Sequence, residues 1–119
     1  MFVLVVDDRR IFGDKHNDCI VHHTTSSVQA LEFLKENFGL VSEMWLDYDL
    51  GGSDTVTPVI DWLDEKAYNG EANHITAIRI LTDNPVGYNK IMLALDRHFF
   101  IGVTPKHKSI RGEPEKPEP

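Results

Sequence analysis

A continuous apolar run, Phe2–Val6, ends abruptly in the acidic pair Asp7-Asp8. Uninterrupted apolar and β-branched residues are typical of a strand that is covered on both faces, as in a parallel sheet. A second apolar segment, Met44–Leu46, ends in the same way at Asp47. Because ligands bind at the carboxyl ends of parallel strands, this pattern predicts an α/β sheet with acidic side chains along one edge.

Strand and helix patterns alternate along the rest of the chain, which indicates parallel crossovers. The segment from Arg9 to Asp18 has no sustained apolar stripe, so we expect a loop where the first crossover helix would lie. The remaining strands are predicted at Cys19–His23, Glu43–Leu46, Ile75–Leu81 and Phe99–Val103.

Three helices are predicted from their caps and their apolar spacing. Ser26 and Gln29 fit a capping box ahead of the first helix, and Gly39 is a suitable stop. Pro58 suits the start of the second helix, and the third is predicted over Gly87–His98. The inward residues of the first helix are predicted at Val28, Leu31, Leu34 and Phe38.

The alternation predicts a flavodoxin-like α/β fold, a three-layer sandwich around a parallel sheet of four or five strands. The first crossover helix is expected to be missing or reduced. In the strand order 2-1-3-4-5, the first and third strands are neighbours at the switch point of the sheet. This order brings together four carboxylates, those of Asp7, Asp8, Asp47 and Asp49.

Length and charge limit the functions that this chain of 119 residues can have. A formal net charge of −7 argues against bulk binding to a nucleic-acid backbone, which needs clustered Lys and Arg. A small phosphorylated ligand held through a metal ion stays compatible with that charge. We assign residues 1–106 to one domain and the Pro- and Glu-rich residues 107–119 to a disordered acidic tail.

Cysteine usage and hydropathy predict the compartment. Cys19 is the only cysteine, so no intrachain disulfide can form and a reducing compartment fits best. No segment reaches the roughly 18 apolar residues that cross a bilayer, and the amino terminus lacks a signal-peptide pattern. We expect a cytoplasmic protein that does not bind membranes, and the small size would suit a phage protein acting in the host cytoplasm.

The two acidic clusters form the candidate metal site. Carboxylates that meet at one edge repel one another unless a cation or a proton is bound, and Mg²⁺ prefers carboxylates, waters and phosphate oxygens. We expect Asp7 and Asp8 to bind the metal, with capping of the following loop as the alternative. Asp47 and Asp49 are expected to be further ligands, with nucleophilic attack on phosphorus as the alternative role for one of them.

Candidate phosphate ligands follow the fourth strand. Thr82 can donate its hydroxyl to a phosphoryl oxygen, and the free amides of a helix that begins after Asn84 and includes Gly87 favour anions. An ordinary helix cap by Asn84 or Asp83 is the alternative for this loop. Lys106 is a candidate that would reach the pocket from the fifth strand end, although a solvated lysine is the favoured interpretation.

Three motifs in this order resemble those of the cyclic-phosphate processing receiver domain family, namely Val6–Arg9, Leu46–Gly52 and Thr82–Gly87. The resemblance runs from about Phe2 to His98. It implies a receiver-like fold, related to two-component receivers, with a similar acidic pocket. It also implies cyclic-phosphate ligands, at RNA ends or in nucleotides. Mg²⁺ is the expected cofactor, with Mn²⁺ as the alternative.

The resemblance assigns roles residue by residue. It makes Asp7 and Asp8 the metal-binding acidic pair. Asp47 takes the position of the receiver phosphoacceptor, Asp49 that of the second acid, and Thr82 that of the receiver hydroxyl. The loop that follows matches at Asn84, Pro85 and Gly87.

Two positions depart from the family pattern. Tyr48 stands where the family has the histidine of Leu-Asp-His-Asp-Leu-Gly, and Leu81-Thr82 stands where it has His-Ser. A histidine pair would transfer protons near neutral pH, which Leu81 cannot do.

Three functions are therefore compared. The first is a Mg²⁺-dependent phosphate-binding domain that, if active, is a metal-dependent cyclic phosphate hydrolase of the phosphodiesterase type. The second is a regulatory receiver phosphorylated on Asp47. The third is a noncatalytic domain whose acidic edge binds a basic protein partner.

Overall fold

The apolar runs form one six-stranded sheet in the computed structural model, which describes the backbone of residues 1–98 and 104–106 and the side chains of residues 1–94. Five strands are parallel, and the two-residue β2 pairs antiparallel with β3. Without β2, the order is the predicted 2-1-3-4-5, so the receiver-like α/β fold is confirmed. The strands, in the sheet order β2-β3-β1-β4-β5-β6, are β1 (Phe2–Val6), β2 (Lys15–His16), β3 (Cys19–Thr24), β4 (Val41–Leu46), β5 (Ala77–Ile80) and β6 (Thr104–Lys106).

The first crossover contains a β-hairpin and no helix, as expected for a missing first helix. The predicted loop of residues 9–18 is wrong in one detail, because β2 lies within it and turns back through Asn17 and Asp18. These two residues have φ angles of 52° and 68°. Positive φ at both central residues is the geometry of the tight two-residue hairpin turn, and Asn and Asp tolerate it best among residues with a β-carbon.

Three helices follow, α1 (Ser27–Asn37), α2 (Thr57–Tyr68) and α3 (Pro85–His98). The predicted cap of α1 is confirmed, because the Ser26 hydroxyl accepts a hydrogen bond from the Gln29 amide at 3.1 Å. In return, the Thr25 amide donates a hydrogen bond to Gln29 Oε1 at 2.9 Å, one residue earlier than in a standard capping box. None of the helices in the described part of the chain combines the length and the apolar character needed to span a membrane.

Some predicted positions and bounds are corrected by the structure. Of the predicted inward residues of α1, Leu34 is fully buried but Val28 is 62% exposed. Ala30, which was not predicted to face inward, is also fully buried, so the buried face of α1 is shifted relative to the predicted one. Strand β4 begins two residues before Glu43, since a 3₁₀ turn leads directly into it. The predicted fifth strand over residues 99–103 and the tail over 107–119 lie outside the described residues, and the structure places the fifth parallel strand at residues 104–106.

Successive residues of β1 face two different apolar clusters. Leu4 and Val6 pack in the larger cluster, together with buried residues from all three helices. Val3 and Val5 pack in a smaller cluster with Phe12, which comes from the loop after β1. The described helices therefore cover one face of the sheet, and the loop and hairpin cover part of the other. At the carboxyl edge, residues 7, 47 and 82 follow these buried strands directly or within two residues.

Candidate functional site

Three carboxylates meet at the carboxyl ends of the neighbouring strands β1 and β4. One oxygen each from Asp7, Asp8 and Asp47 lies within 4.8 Å of the other two. The sheet pairing continues just past both strands, because the Asp7 amide donates to Thr24 O at 3.0 Å and the Asp47 amide donates to Val6 O at 2.9 Å. Asp7 and Asp47 are only 3% and 2% exposed. The backbone therefore fixes two of the three acids in a buried position.

The two carboxylate oxygens of Asp7 have different partners. Its Oδ1 accepts hydrogen bonds from the amides of Arg9 and Arg10, both at 2.9 Å, and so caps the following loop. Its Oδ2 lies 2.9 Å from Nη1 of the Arg10 side chain. The capping alternative is thus realised by one oxygen, while the other oxygen is held by a cation.

Arg10 is the site residue that the sequence reasoning missed. Its guanidinium lies 2.9 Å from Asp7 Oδ2, 3.5 Å from Asp47 Oδ2 and 3.5 Å from Asp83 Oδ2. One side chain therefore connects the loops after β1, β4 and β5. Burial lowers the pKa of the guanidinium, but its hydrogen bond to Asp7 and the charges of the three acids raise it overall. The sequence signal that could have indicated this role is the pair of arginines directly after Asp7-Asp8.

Asp47 has an environment that opposes its negative charge. The pKa of Asp47 is raised to about 6, first by burial and next by the charge of Asp7, while Arg10 acts in the opposite direction. Its Oδ1 accepts a hydrogen bond from the Tyr48 amide at 2.8 Å. Its Oδ2 is buried and receives no hydrogen bond from the described residues, with Arg10 at ion-pair distance.

Asp8 carries a second buried oxygen of this kind. Although the residue is partly exposed, its Oδ1 is buried and receives no hydrogen bond in the described part of the chain. Buried carboxylate oxygens without donors are costly unless something else binds them, and a hard divalent cation prefers such oxygens. The oxygens of Asp7, Asp8 and Asp47 therefore fit a Mg²⁺ ion.

Asp49 lies outside this group of three. It is exposed, and its Oδ2 accepts a hydrogen bond from the side-chain amide of Asn84 at 3.1 Å. Asn84 also accepts hydrogen bonds, through Oδ1, from the amides of Val86 at 3.0 Å and Gly87 at 3.3 Å. Asn84 therefore caps α3, as the alternative reading of this loop proposed, and it ties the helix start to the rim of the pocket.

Gly87 and Gly51 both permit close packing at the site. A β-carbon at Gly87 would lie 2.5 Å from Cγ of Tyr48, so the tyrosine ring packs against the backbone of α3. A β-carbon at Gly51 would lie 3.3 Å from Asp8 Oδ2, and Gly51 has a φ of 98°, which residues with a β-carbon rarely adopt. The absence of a β-carbon at these two positions thus allows the backbone to pack directly against Tyr48 and Asp8.

Thr82 lies two residues past β5, at the same edge of the sheet as the acids. It is 2% exposed, and its hydroxyl oxygen accepts a hydrogen bond from the Asn84 amide at 3.1 Å. A hydroxyl that accepts one bond keeps its own proton for donation. For Lys106 the structure describes the backbone, which lies in β6 opposite Arg79; its side chain lies outside the described part.

Asp54 fixes the loop that follows the central acidic motif to the start of α1. Asp54 accepts hydrogen bonds from the amide of Ser27 at 2.9 Å and from its hydroxyl at 2.6 Å. Ser27 is the first residue of α1, where free amides favour a negative charge. No pattern in the sequence pointed to this contact, because 27 residues separate its partners.

One of the comparisons with known proteins gives a match. The family model described as the cyclic-phosphate processing receiver domain matches residues 2–97. The matched span contains the three clustered acids, Arg10 and Thr82. Comparison with curated proteins and with solved structures gives no significant match.

Proposed function

This chain belongs to the cyclic-phosphate processing receiver domain family, and on that premise we propose that it is a Mg²⁺-dependent phosphate-binding domain. Asp7, Asp8 and Asp47 hold the metal ion, and the ligand is a small cyclic or open phosphate ester. The third class of function, docking of the acidic edge onto a basic protein, has less support, because two of the three acids are buried.

One observation carries this proposal. Two buried carboxylate oxygens, Asp47 Oδ2 and Asp8 Oδ1, receive no hydrogen bond from the described residues. Both residues belong to the group of three acids that each place one oxygen within 4.8 Å of the others. A merely structural cluster would satisfy such oxygens with amides or hydroxyls, as Asp7 Oδ1 is satisfied. The arrangement suits a cation better than it suits a cap.

The remaining site residues act on the phosphate. Bound at the three acids, Mg²⁺ supplies positive charge that neutralises phosphoryl oxygens. Thr82 donates its hydroxyl proton to one of these oxygens, while the amide of Asn84 holds that hydroxyl in place. Asp49 and Asn84 form the rim of the pocket through their mutual hydrogen bond. Asp47 holds the ion as a carboxylate, because a cation beside it opposes the burial and the Asp7 charge that raise its pKa.

The two positions that carry histidine in the family motifs argue for binding over hydrolysis. Tyr48 packs against α3 and belongs to the rim of the larger apolar cluster, whereas Leu81 is buried in the smaller cluster on the opposite face. Imidazole is the side chain that transfers protons most readily near neutral pH, and neither tyrosine nor leucine provides one. The chain has therefore replaced both of these candidate acid and base groups.

The test uses a 2′,3′-cyclic mononucleotide as the probe. Phosphorus NMR of the probe with wild-type protein and Mg²⁺ should show Mg²⁺-dependent broadening or shift without conversion to an open phosphate. Asp47→Asn should abolish that change, and Glu65→Gln, at an exposed position of α2, should leave it intact. A probe spectrum that is identical with and without protein would refute the proposal. Rapid ring opening would instead establish a hydrolase.

A regulatory receiver is the second candidate, and the position of Asp47 favours it. The acid follows β4, it lies beside Asp7 and Asp8, and Thr82 follows the neighbouring strand β5. Incubation with acetyl phosphate and Mg²⁺ tests this function by intact-mass measurement. An added phosphoryl mass that is absent in Asp47→Asn supports it, and an unchanged mass excludes acetyl phosphate as a donor.

A further inference from the structure

The cation that the structure places in the acidic pocket is the side chain of Arg10. Its Nη1 makes a 2.9 Å contact with Asp7 Oδ2 and a 3.5 Å contact with Asp47 Oδ2. Both acids belong to the group of three whose oxygens lie within 4.8 Å of one another. The guanidinium thus occupies the space between two of the proposed metal ligands.

Arg10 holds the oxygens of Asp7 and Asp47 that a metal ion would use. Asp7 Oδ1 accepts two backbone amides, so Oδ2 is the oxygen that remains for a cation. That oxygen is the acceptor of the Arg10 hydrogen bond. Asp47 Oδ2, which lacks a hydrogen bond, has Nη1 at 3.5 Å. A metal ion at these oxygens would meet a positive charge within a few ångströms, in a partly buried place where screening is weak.

We propose that Arg10 is the resident counter-ion of this pocket, which stabilises the metal-free acids and competes directly with Mg²⁺ for Asp7 and Asp47. This inference rests on the proposed metal site. Arg10 acts here as a positioning residue that sets the metal affinity, and Asp83 gives its guanidinium a third anchor at 3.5 Å. Metal binding therefore requires the contacts of Arg10 with Asp7 and Asp47 to be released.

Arg10 also has a matched neighbour. Arg9 carries the same charge one residue earlier, but it is exposed, whereas Arg10 is half-buried. The described contacts of Arg9 with the acids are made by its backbone amide, which a side-chain substitution retains. Replacement of Arg9 therefore controls for the loss of one positive charge near the pocket.

The experiment measures Mg²⁺ affinity by isothermal titration calorimetry, using wild type, Arg10→Gln and Arg9→Gln. Arg10→Gln should bind Mg²⁺ about tenfold more tightly than wild type, because the competing cation is gone. Arg9→Gln should change the affinity by less than about threefold, since its charge is exposed and screened.

Thermal unfolding in EDTA is the second readout. Without metal, Arg10→Gln should unfold at a lower temperature than Arg9→Gln, and saturating Mg²⁺ should reduce that difference.

The outcomes separate this inference from the proposed function. Equal or weaker Mg²⁺ binding by Arg10→Gln, with normal binding by wild type, would overturn the inference and leave the metal site intact. Absence of Mg²⁺ binding in every protein would refute the metal site and this inference together. If Arg10→Gln does not fold, Arg10→Met replaces it, because methionine keeps an apolar stem and removes the charge. Tighter Mg²⁺ binding by Arg10→Met than by wild type supports the competition, and unchanged binding refutes it.

Discussion

Gly87 lies so close to Tyr48 that a β-carbon at position 87 would be 2.5 Å from Cγ of the tyrosine ring. The contact joins the central acidic motif to the first turn of α3. Since Tyr48 lies between Asp47 and Asp49 in the sequence, this packing helps to fix the edge of the pocket. It also explains the glycine at a helical position, where alanine would otherwise be preferred.

We predict that Gly87→Ala destabilises the protein. The clash costs about 1–3 kcal/mol and alanine returns up to about 1 kcal/mol of helix propensity, so the net loss should be roughly 1–2 kcal/mol. Urea unfolding measures it. In Tyr48→Gly, which removes the tyrosine Cβ at 2.6 Å as well as the ring, the added methyl group has room, and the penalty of the second substitution should largely disappear. An equal penalty in both backgrounds would contradict the observed contact, and Gly39→Ala, which meets no atom within 4 Å, is the control.

A pH dependence follows from Asp47. Its pKa in the folded chain is raised from an ordinary value near 3.8 to about 6, so the folded state binds the proton more tightly than the unfolded state does. The stabilising contribution is complete below about pH 4 and is lost as the pH rises through 6. Asp47→Asn should therefore remove a fall in unfolding free energy on the order of 2 kcal/mol between pH 4 and 7, measured in EDTA. Asp49→Asn should retain that fall, and a wild type without it would contradict the burial of Asp47.

The link between Asp54 and Ser27 should contribute to stability. Removal of the carboxylate in Asp54→Ala eliminates two hydrogen bonds to the start of α1, at 2.9 and 2.6 Å, and should cost about 1.5–3 kcal/mol. Ser27→Ala removes the hydroxyl bond and keeps the amide bond, so its effect should be smaller. A double-mutant cycle by chemical denaturation checks the coupling. Strictly additive effects would show that the two side chains do not interact.

The hydroxyl of Thr82 should matter both for ligand binding and for folding. Thr82→Val keeps the shape but leaves the Asn84 amide without its acceptor, which should cost about 1–3 kcal/mol of unfolding free energy. Thr82→Ser keeps the hydroxyl and should bind the cyclic nucleotide in Mg²⁺ as wild type does. Phosphate-ester binding by Thr82→Val that matches Thr82→Ser would contradict the role of the hydroxyl.

The sheet was predictable because its signals are local. The apolar run of β1 and the acids that follow it place Asp7 at a strand end whatever the rest of the chain does. The order of the parallel strands then follows from general rules for crossovers, and it brings Asp47 beside Asp7. The two-residue strand β2 was missed because two residues show no alternation, although the turn residues Asn17 and Asp18 were visible.

The contacts that complete the pocket were less predictable, because they depend on the reach of side chains between loops. Arg10 joins loops that lie far apart in the sequence, and no periodic pattern encodes the path of its guanidinium. Asp49 was grouped with the other acids by its spacing from Asp47, yet it lies outside the three-carboxylate group. Side chains alternate between the two faces only within a strand, and Asp49 lies beyond the strand end. Its spacing from Asp47 therefore does not determine which residues it contacts.

The central claim is that Asp7, Asp8 and Asp47 form a Mg²⁺ site. Isothermal titration of metal-free protein with MgCl₂ tests it most directly, using wild type, Asp8→Asn and Asp49→Asn. Wild type should bind one Mg²⁺ ion per chain, Asp8→Asn should lose at least about tenfold in affinity, and Asp49→Asn should stay within about threefold of wild type. Absence of binding heat in wild type, or the same affinity in wild type and Asp8→Asn, would contradict the account.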